Sequence, residues 1–290
     1  MTTNLPPTSL TLADDLVLFR LGYGAMRLTG QPGNWGPYRD PAGARALLHR
    51  ALDLGVNFVD TADAYGPGDN ESLIAECLHP YPRGLVIATK GGAVKTGPAA
   101  VHADGRPEYL KAACRKSLQR LRLDVVPLYQ LHRVDPAVPI EESVGALADL
   151  RREGLVRHVG LSNVTVEQIE AARRVVPVAS VQNRYSAVDR QSDAVVDYCE
   201  REGIAFLPYG PLGAGPFDPA SPLSKADGPL GAVAAAKGVT PAQVALAWLL
   251  RRSPAVLPIP GTTSAAHLEE NVAAARVVLT DEDVRAIGLP

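Results

Sequence analysis

Eight short apolar runs, spaced along the chain with helical stripes between most of them, limit this sequence to very few folds. One lies near residue 20, in Val17-Leu-Phe-Arg-Leu-Gly-Tyr-Gly24, and the others at 56–59, 84–89, 126–131, 156–161, 178–182, 204–209 and 255–259. The stripes recur at three and four residues: Ala44, Leu47, Leu48 and Ala51; Leu110, Ala113, Cys114, Ser117, Leu118 and Leu121; Ile140, Val144, Leu147 and Ala148. Short apolar strands alternating with amphipathic helices are the signature of parallel βαβ units. Eight of them favour an α/β chain closed into a (β/α)8 TIM barrel over an open doubly wound sheet. An open sheet for dinucleotides would place a Gly-x-Gly-x-x-Gly turn between strand and helix. The nearest match, Gly22-Tyr-Gly24-Ala-Met-Arg27, lacks the third glycine and runs into a loop.

Local signals agree with the barrel. Residues 9 to 24 read as a hairpin turning near Ala13-Asp-Asp15 and leading into the first strand. Gly55 stops the first helix. Thr165-x-x-Gln168 and Thr240-Pro241-x-Gln243 are capping boxes, with Val164/Ile169 and Val239/Val244 placed as hydrophobic staples. Thr280 and the acids after it open an extra C-terminal helix. No composition break divides residues 1–290, so one domain is expected. Segments 29–41, 92–107 and 211–228 are long connections rich in Gly, Pro and Ala, of the kind that shape a pocket.

Composition excludes several classes. Hydrophobic residues make up 46%, charged residues 21%, and the net charge is -2, so nucleic acid is not an expected partner. No apolar run reaches the ~20 residues of a membrane helix, and the start of the sequence lacks the basic and apolar regions of a signal peptide. Cys77, Cys114 and Cys199 lie far apart and read as reduced core thiols of a cytoplasmic protein.

In such a barrel the reactive groups sit at the C-terminal ends of strands. Strand 56–59 delivers Asp60, with Tyr65 five residues on. Strand 84–89 delivers Lys90, and strand 126–131 delivers His132. Strand 156–161 ends in Ser162-Asn163, strand 178–182 carries Gln182, and strand 204–209 ends in Tyr209-Gly210. Each has an ordinary reading. A strand-end Asp caps helices, a Lys beside two glycines is a loop cation, a lone His is structural, and Tyr65 and Tyr209 can pack against the rim. Four reactive types at successive strand ends, however, converge on one mouth. A metal-dependent hydrolase would need further clustered ligands beside His132, and none is expected.

Val59-Asp60-Thr61-Ala62-x-x-Tyr65-Gly66, the strand-ending Lys90, and Leu131-His132 resemble the tetrad of the aldo-keto reductase family. Val159-Gly-Leu-Ser-Asn163, Val181-Gln-Asn-x-Tyr185, Ile259-Pro-Gly-Thr262 and His267-Leu-Glu-Glu-Asn271 resemble its cofactor signatures. The likeness runs from about Gly22 to Asn271 and looks closest to a bacterial, pyridoxal-reductase-like branch. It implies NAD(P)H-dependent reduction of an aldehyde or ketone, the cofactor lying extended across the barrel mouth. Tyr65 would be the proton donor, Lys90 would ease its proton loss, Asp60 would hold Lys90, and His132 would polarise the carbonyl oxygen.

The same resemblance assigns Ser162, Asn163 and Gln182 to the nicotinamide carboxamide, and Tyr209 to its ring. It gives Gly210, Pro211, Leu212 and Gly213 to the pyrophosphate, and Met26, Arg27 and Asp60 to the nicotinamide ribose side. Ile259, Gly261, Thr262, Thr263, His267, Glu270 and Asn271 would line the adenosine end. Many relatives hold the 2′-phosphate of NADPH with a Lys or Arg after Ile-Pro and an Arg where His267 stands. Hydroxyls and the helix beginning near Ser264 replace them here, so NADPH is expected, with NADH as the alternative. The partner is a small carbonyl substrate, and relatives suggest a monomer or weak oligomer. A cofactor-binding regulatory subunit on the same fold is the rival reading. The loop carrying Trp35 and Tyr38 either walls the substrate pocket or only anchors itself.

Overall fold

The structure, a computed structural model, describes residues 8–213 and 228–287. It opens with an antiparallel hairpin, β1 (Ser9–Leu12) against β2 (Leu16–Phe19). Ala13 and Asp14 take positive φ in the turn. Period-2 alternation buries Leu10, Leu12, Leu16 and Leu18 and exposes Ser9, Thr11 and Val17.

The first barrel strand, β3 (Tyr23–Gly24), is shorter than the run 17–24 that sequence suggests. Arg20 is why the run divides. Its side chain is buried, and Nη2 donates to the carbonyls of Leu250 (2.9 Å), Ser253 (2.8 Å) and Val256 (3.2 Å). That clamp ties the end of the hairpin to the far end of the chain, and the strand pairing starts only beyond it.

Parallel strands follow: β4 (Phe58–Asp60), β5 (Val86–Gly91), then, after a small antiparallel hairpin of β6 (Ala93–Lys95) and β7 (Val101–Ala103), β8 (Val126–Leu131), β9 (Val156–Ser162), β10 (Val178–Gln182) and β11 (Ala205–Phe206). They form one seven-stranded sheet in the order β11-β10-β9-β8-β5-β4-β3. Residues 256–260 close it. Val256 bridges Phe206 in parallel, Leu257 N–H donates to Phe206 O (2.9 Å), and Gly22 and Gly24 donate to Pro258 O (2.9 Å) and Pro260 O (3.2 Å). The eighth run therefore stands where the sequence puts it. Pro258 within it and Pro260 just after it have no N–H, so it cannot form a regular ladder on both sides.

Closure requires two glycines. A Cβ on Gly24 would stand 2.6 Å from Ile259 O, and one on Gly261 would stand 2.6 Å from Gly24 O. Backbone faces backbone at both points, so neither can yield by a rotamer change. Gly261→Ala is expected to cost about 1–3 kcal/mol, read as a lower denaturant midpoint at unchanged m value.

The helices are α1 (Pro41–Asp53), α2 (Asp69–Leu78), α3 (Pro107–Leu121), α4 (Ile140–Arg152), α5 (Val166–Arg173), α6 (Asp193–Glu202), α7 (Pro229–Lys237), α8 (Pro241–Arg252), α9 (Ala265–Ala273) and α10 (Asp281–Ala286). The stripe residues of α1 and α3 are buried; in α4, Ile140, Val144 and Leu147 are buried and Ala148 is partly so. The capping boxes at Thr165 and Thr240 are formed, and Thr280 makes a third with Asp283. Sequence offers no stripe for α7, because Leu230–Ala236 is apolar or glycine all round. Most of the expected 211–228 connection lies outside the described residues. Among those described, no single helix is long and apolar enough to cross a membrane.

Two apolar regions result. Phe58, Val86, Ala88, Leu128, Ala205, Leu207, Leu257 and Ile259 fill the barrel, and the hairpin leucines join them as a plug at one end. The helices pack outside on Val59, Ile87, Tyr129 and Val159, and on Cys114 and Cys199 among others.

Candidate active site

The same alternation that fills the barrel builds its mouth. On β4, Phe58 points inward and Asp60 is next on that face; on β5, Val86 and Ala88 are followed by Lys90; on β8, Leu128 is followed by Gln130. The inward face is apolar at depth and polar at the C-terminal ends.

Lys90 is fully buried and uses all three donors: Asp60 Oδ1 at 2.6 Å, Thr61 O at 2.8 Å and Tyr65 Oη at 3.3 Å. The second carboxylate oxygen of Asp60 accepts from Gln182 Nε2 (2.8 Å) and Gln130 Nε2 (3.3 Å). Burial works against the ammonium, but the Asp60 carboxylate and the Tyr65 hydroxyl outweigh it, and the lysine pKa is raised. Tyr65 accepts from Lys90, which leaves its own proton to be donated outward. Burial raises the phenol pKa, and Lys90 opposes this only in part. The ammonium thus acts in the direction expected from sequence, yet the resting phenol is a weaker acid than usual.

His132 stands edge-on to Tyr65, with ring centroids 5.9 Å apart and planes at 84°. Its backbone N–H is held by Gly91 O at 2.8 Å, and its buried Nδ1 has no protein partner. Burial, then the charges of Lys90 and Arg133, hold its pKa well below the ordinary 6.5. The ring is neutral at physiological pH, with polar capacity unspent.

The loop carrying Tyr65 is fixed from three sides. Thr61 Oγ1 donates to Asn70 Oδ1 (2.6 Å), and Asn70 Nδ2 donates to Ala25 O (3.0 Å) and Leu28 O (2.7 Å), tying the Met26–Arg27 turn to the same place. Gly66 N–H donates to Asn34 O (3.1 Å). At Gly66, φ is +63° and a Cβ would stand 2.7 Å from Gly36 O, so only glycine lets the Trp35 loop lie this close. Lys95 Nζ holds that loop through Gly33 O and Asn34 O.

Behind Lys90 lies a second acidic layer. Glu71 accepts from Thr89 Oγ1 (2.5 Å) and Arg120 Nε (2.7 Å). Asp63 donates its N–H to Lys90 O (3.1 Å), while its buried Oδ1 has no partner. Burial, then the Glu71 charge, pushes the Asp63 carboxyl up to about 8. The folded protein therefore keeps a proton that the unfolded chain releases near the ordinary 3.8. The stability this group contributes is full below the lower value and is lost as pH rises through the upper one. Asp63→Asn is expected to flatten that loss, raising Tm above pH 8 by about 2 °C or more relative to the parent; a pH series of thermal melts checks it.

The residues assigned by resemblance to the nicotinamide form a connected chain. Tyr209 Oη donates to Asn163 Oδ1 (2.8 Å), and Asn163 Nδ2 donates to His132 O (3.0 Å) and Ser162 Oγ (3.0 Å). Gln182 has its amide nitrogen on Asp60, which leaves its carbonyl oxygen as the atom to offer a carboxamide. Gly210 and Gly213 take positive φ in a turn closed by Gly213 N–H to Gly210 O (2.8 Å); Pro211 is buried and Leu212 partly so.

At the other end of the mouth, Tyr23 Oη donates to Thr262 O (2.7 Å), and Ser264 N–H to Thr262 Oγ1 (3.0 Å). Ser264 caps α9 by accepting from His267 N–H (3.4 Å). Gly261 and Thr263 are exposed, Arg27 lies alongside Gly261, Glu270 O accepts from Gln243 Nε2 (3.1 Å), and Asn271 is buried. Ile259 differs from the expectation. Its side chain belongs to the barrel core, so only its backbone can reach the rim.

Several participants escaped the sequence reading. Gln130 lies inside its strand, not at the end. Glu71, Asn70 and Arg120 sit on helices whose partners are far away in sequence. Gly160 leaves room for Gln130, since a Cβ there would stand 2.8 Å from the glutamine Cγ and 2.3 Å from Ser180 Oγ.

Comparison with known proteins gives the same answer. Residues 20–288 match the model of the aldo/keto reductase family. An uncharacterised oxidoreductase of Schizosaccharomyces pombe is 46% identical over 268 residues, covering 92% of this chain and 85% of its own. Pyridoxine 4-dehydrogenase of Escherichia coli is 45% identical over 269 residues, covering 91% of each. A glycerol dehydrogenase of Gluconobacter oxydans superposes with a TM-score of 0.85 at 26% identity, over 99% of this chain and 95% of that one. An aldo/keto reductase of Klebsiella pneumoniae, solved with NADP and acetate, gives 0.81 at 25%, over 97% and 94%. A closed barrel, a buried Asp–Lys pair under a tyrosine, and a match over nearly the whole length agree: the chain belongs to the aldo/keto reductase family.

Proposed function

We propose that this oxidoreductase reduces an aldehyde or ketone to the alcohol with NADPH, Tyr65 supplying the proton. The observation that carries the reading is the single ammonium of Lys90 bridging Asp60 Oδ1 and Tyr65 Oη, with the neutral His132 ring beside them.

The residues fit the cofactor. Ser162, Asn163 and Tyr209 present an amide and hydroxyls at one end of the mouth, and the Gly261–Thr263 turn, exposed at Gly261 and Thr263, leads to the N-terminus of α9 at the other. Arg27, assigned by resemblance to the nicotinamide ribose side, instead lies beside Gly261 and adds a cation there. The Klebsiella relative, solved with NADP, supports the choice. When bound, the dinucleotide supplies the hydride. The protein does the rest: the neutral His132 ring, edge-on to Tyr65, polarises the carbonyl oxygen, and Tyr65 donates to that oxygen as its charge grows. The fixed charge of Lys90 stabilises the phenolate left behind. Asp60, held by two glutamines, keeps the lysine in place and charged.

Mixing the protein with NADPH and a panel of aromatic and aliphatic aldehydes tests this. Carbonyl-dependent NADPH oxidation with the alcohol as product is expected, at a higher kcat/KM than with NADH. Tight NADPH binding without turnover of any carbonyl would instead identify a cofactor-binding regulatory protein.

A further inference from the structure

Next to Asn163, a groove of about 450 Å³ lies between the β6–β7 hairpin, the segment after His132 and the start of α5. Val101 and Val134 form apolar walls, and Arg133, His102 and Gln168 supply the polar groups. Asn163 lines it too, and Asn163 bonds to the His132 carbonyl and to Tyr209. The groove therefore adjoins the reacting end of the site, away from the Gly261–Asn271 turn.

Its polar lining is one-sided. No carboxylate borders it. Arg133 is exposed and makes no ion pair or hydrogen bond among the described residues. Asp135, two residues on, has both oxygens engaged, by Gly105 N–H and Ala137 N–H at 2.9 Å each. Asp104 is paired with Arg106 at 2.6 Å. Gln168 has its oxygen tied to Thr165 N–H (3.0 Å), so it turns donors toward the groove. Arg133 directly follows His132 in the chain and shares the groove lining with Asn163, which bonds to the His132 carbonyl, so its charge lies beside the reacting centre.

We propose that this groove is a subsite for an anionic group, a carboxylate or a phosphate monoester, carried on the tail of the carbonyl substrate, with Arg133 as its main partner. A guanidinium recognises either anion by paired N–H donors, and the valine walls take the apolar spacer between anion and carbonyl. The inference rests on the carbonyl-reduction reading above.

Two substrate pairs test it, each read as a ratio of kcat/KM within one protein so that differences in folded fraction cancel: 4-carboxybenzaldehyde against 4-methylbenzaldehyde, and glyceraldehyde 3-phosphate against glyceraldehyde. For the parent, the anionic member is expected to lead by about fivefold or more in at least one pair, a size suited to an exposed cation. The pair that shows it identifies the anion. In Arg133→Gln that ratio should fall to about one, chiefly through KM, and Arg133→Lys should recover part of it. Ratios near one in both parent pairs, or a ratio unchanged in Arg133→Gln, overturn the proposal. Calorimetric binding of benzoate needs no turnover. Benzoate binding lost in Arg133→Gln supports the subsite even if every aldehyde is inert, an outcome that would sink only the reductase reading. Equal benzoate binding by both proteins counts against the subsite alone.

Discussion

Lys90→Met is expected to lower stability by about 3–5 kcal/mol and to reduce kcat at least a hundredfold. Methionine fills nearly the same space, so the loss is electrostatic. Asp60 would be left buried with two glutamine amides and no cation. Its uncompensated charge is what costs stability, and only protonation relieves it. The sign is then fixed: the stability deficit of Lys90→Met should shrink as pH falls and grow as pH rises. Adding Asp60→Asn removes the stranded charge and should recover most of the stability without restoring turnover. Denaturant unfolding of the two single variants and the double variant, with kcat beside it, separates the two roles. An additive double variant would mean that the 2.6 Å pair contributes little to holding the site together.

Tyr65→Phe is expected to lower kcat by about 10²–10⁴ while leaving NADPH affinity and fold nearly unchanged. Phenylalanine keeps the edge contact with His132, and Lys90 retains Asp60 and Thr61 O as acceptors. The stability change should stay near the ~1 kcal/mol of one hydrogen bond. The protonation states make a companion expectation for the parent enzyme. The His132 pKa is depressed, so its protonation limits activity only below pH 6.5, and burial places the loss of the Tyr65 proton above pH 10. Between those limits kcat/KM for reduction should be level apart from a step near pH 8, where Asp63 behind Lys90 loses its proton. A break near the ordinary histidine value would contradict a buried, neutral ring.

Much of this was legible from spacing. Strand ends identified Asp60, Lys90 and His132 because period 2 and the barrel rule say where a strand delivers its last inward side chain. The boxes at Thr165 and Thr240 formed as written because capping is local chemistry. What could not be read depends on distance. The run 17–24 splits at Arg20 because three carbonyls beyond residue 249 claim its side chain. The run at 255–259 lacks a regular ladder because Pro258 and the following Pro260 cannot donate. Gln130 was hidden because nothing local distinguishes a glutamine holding Asp60 from one facing outward. The net effect on Tyr65 was not legible for a similar reason: a neighbouring ammonium can be inferred from sequence, but the burial that outweighs it cannot.

The central claim is that the proton reaching the substrate oxygen comes from Tyr65. Its most direct test is a single-turnover experiment, with enzyme preloaded with NADPH mixed rapidly with excess 4-carboxybenzaldehyde and the loss of nicotinamide absorbance followed. Parent and Tyr65→Phe should show the same cofactor-binding fluorescence, and the hydride-transfer phase should slow by at least about a hundredfold in the variant. The same transfer rate in both proteins would contradict the assignment of Tyr65 and the role argued for Lys90 behind it.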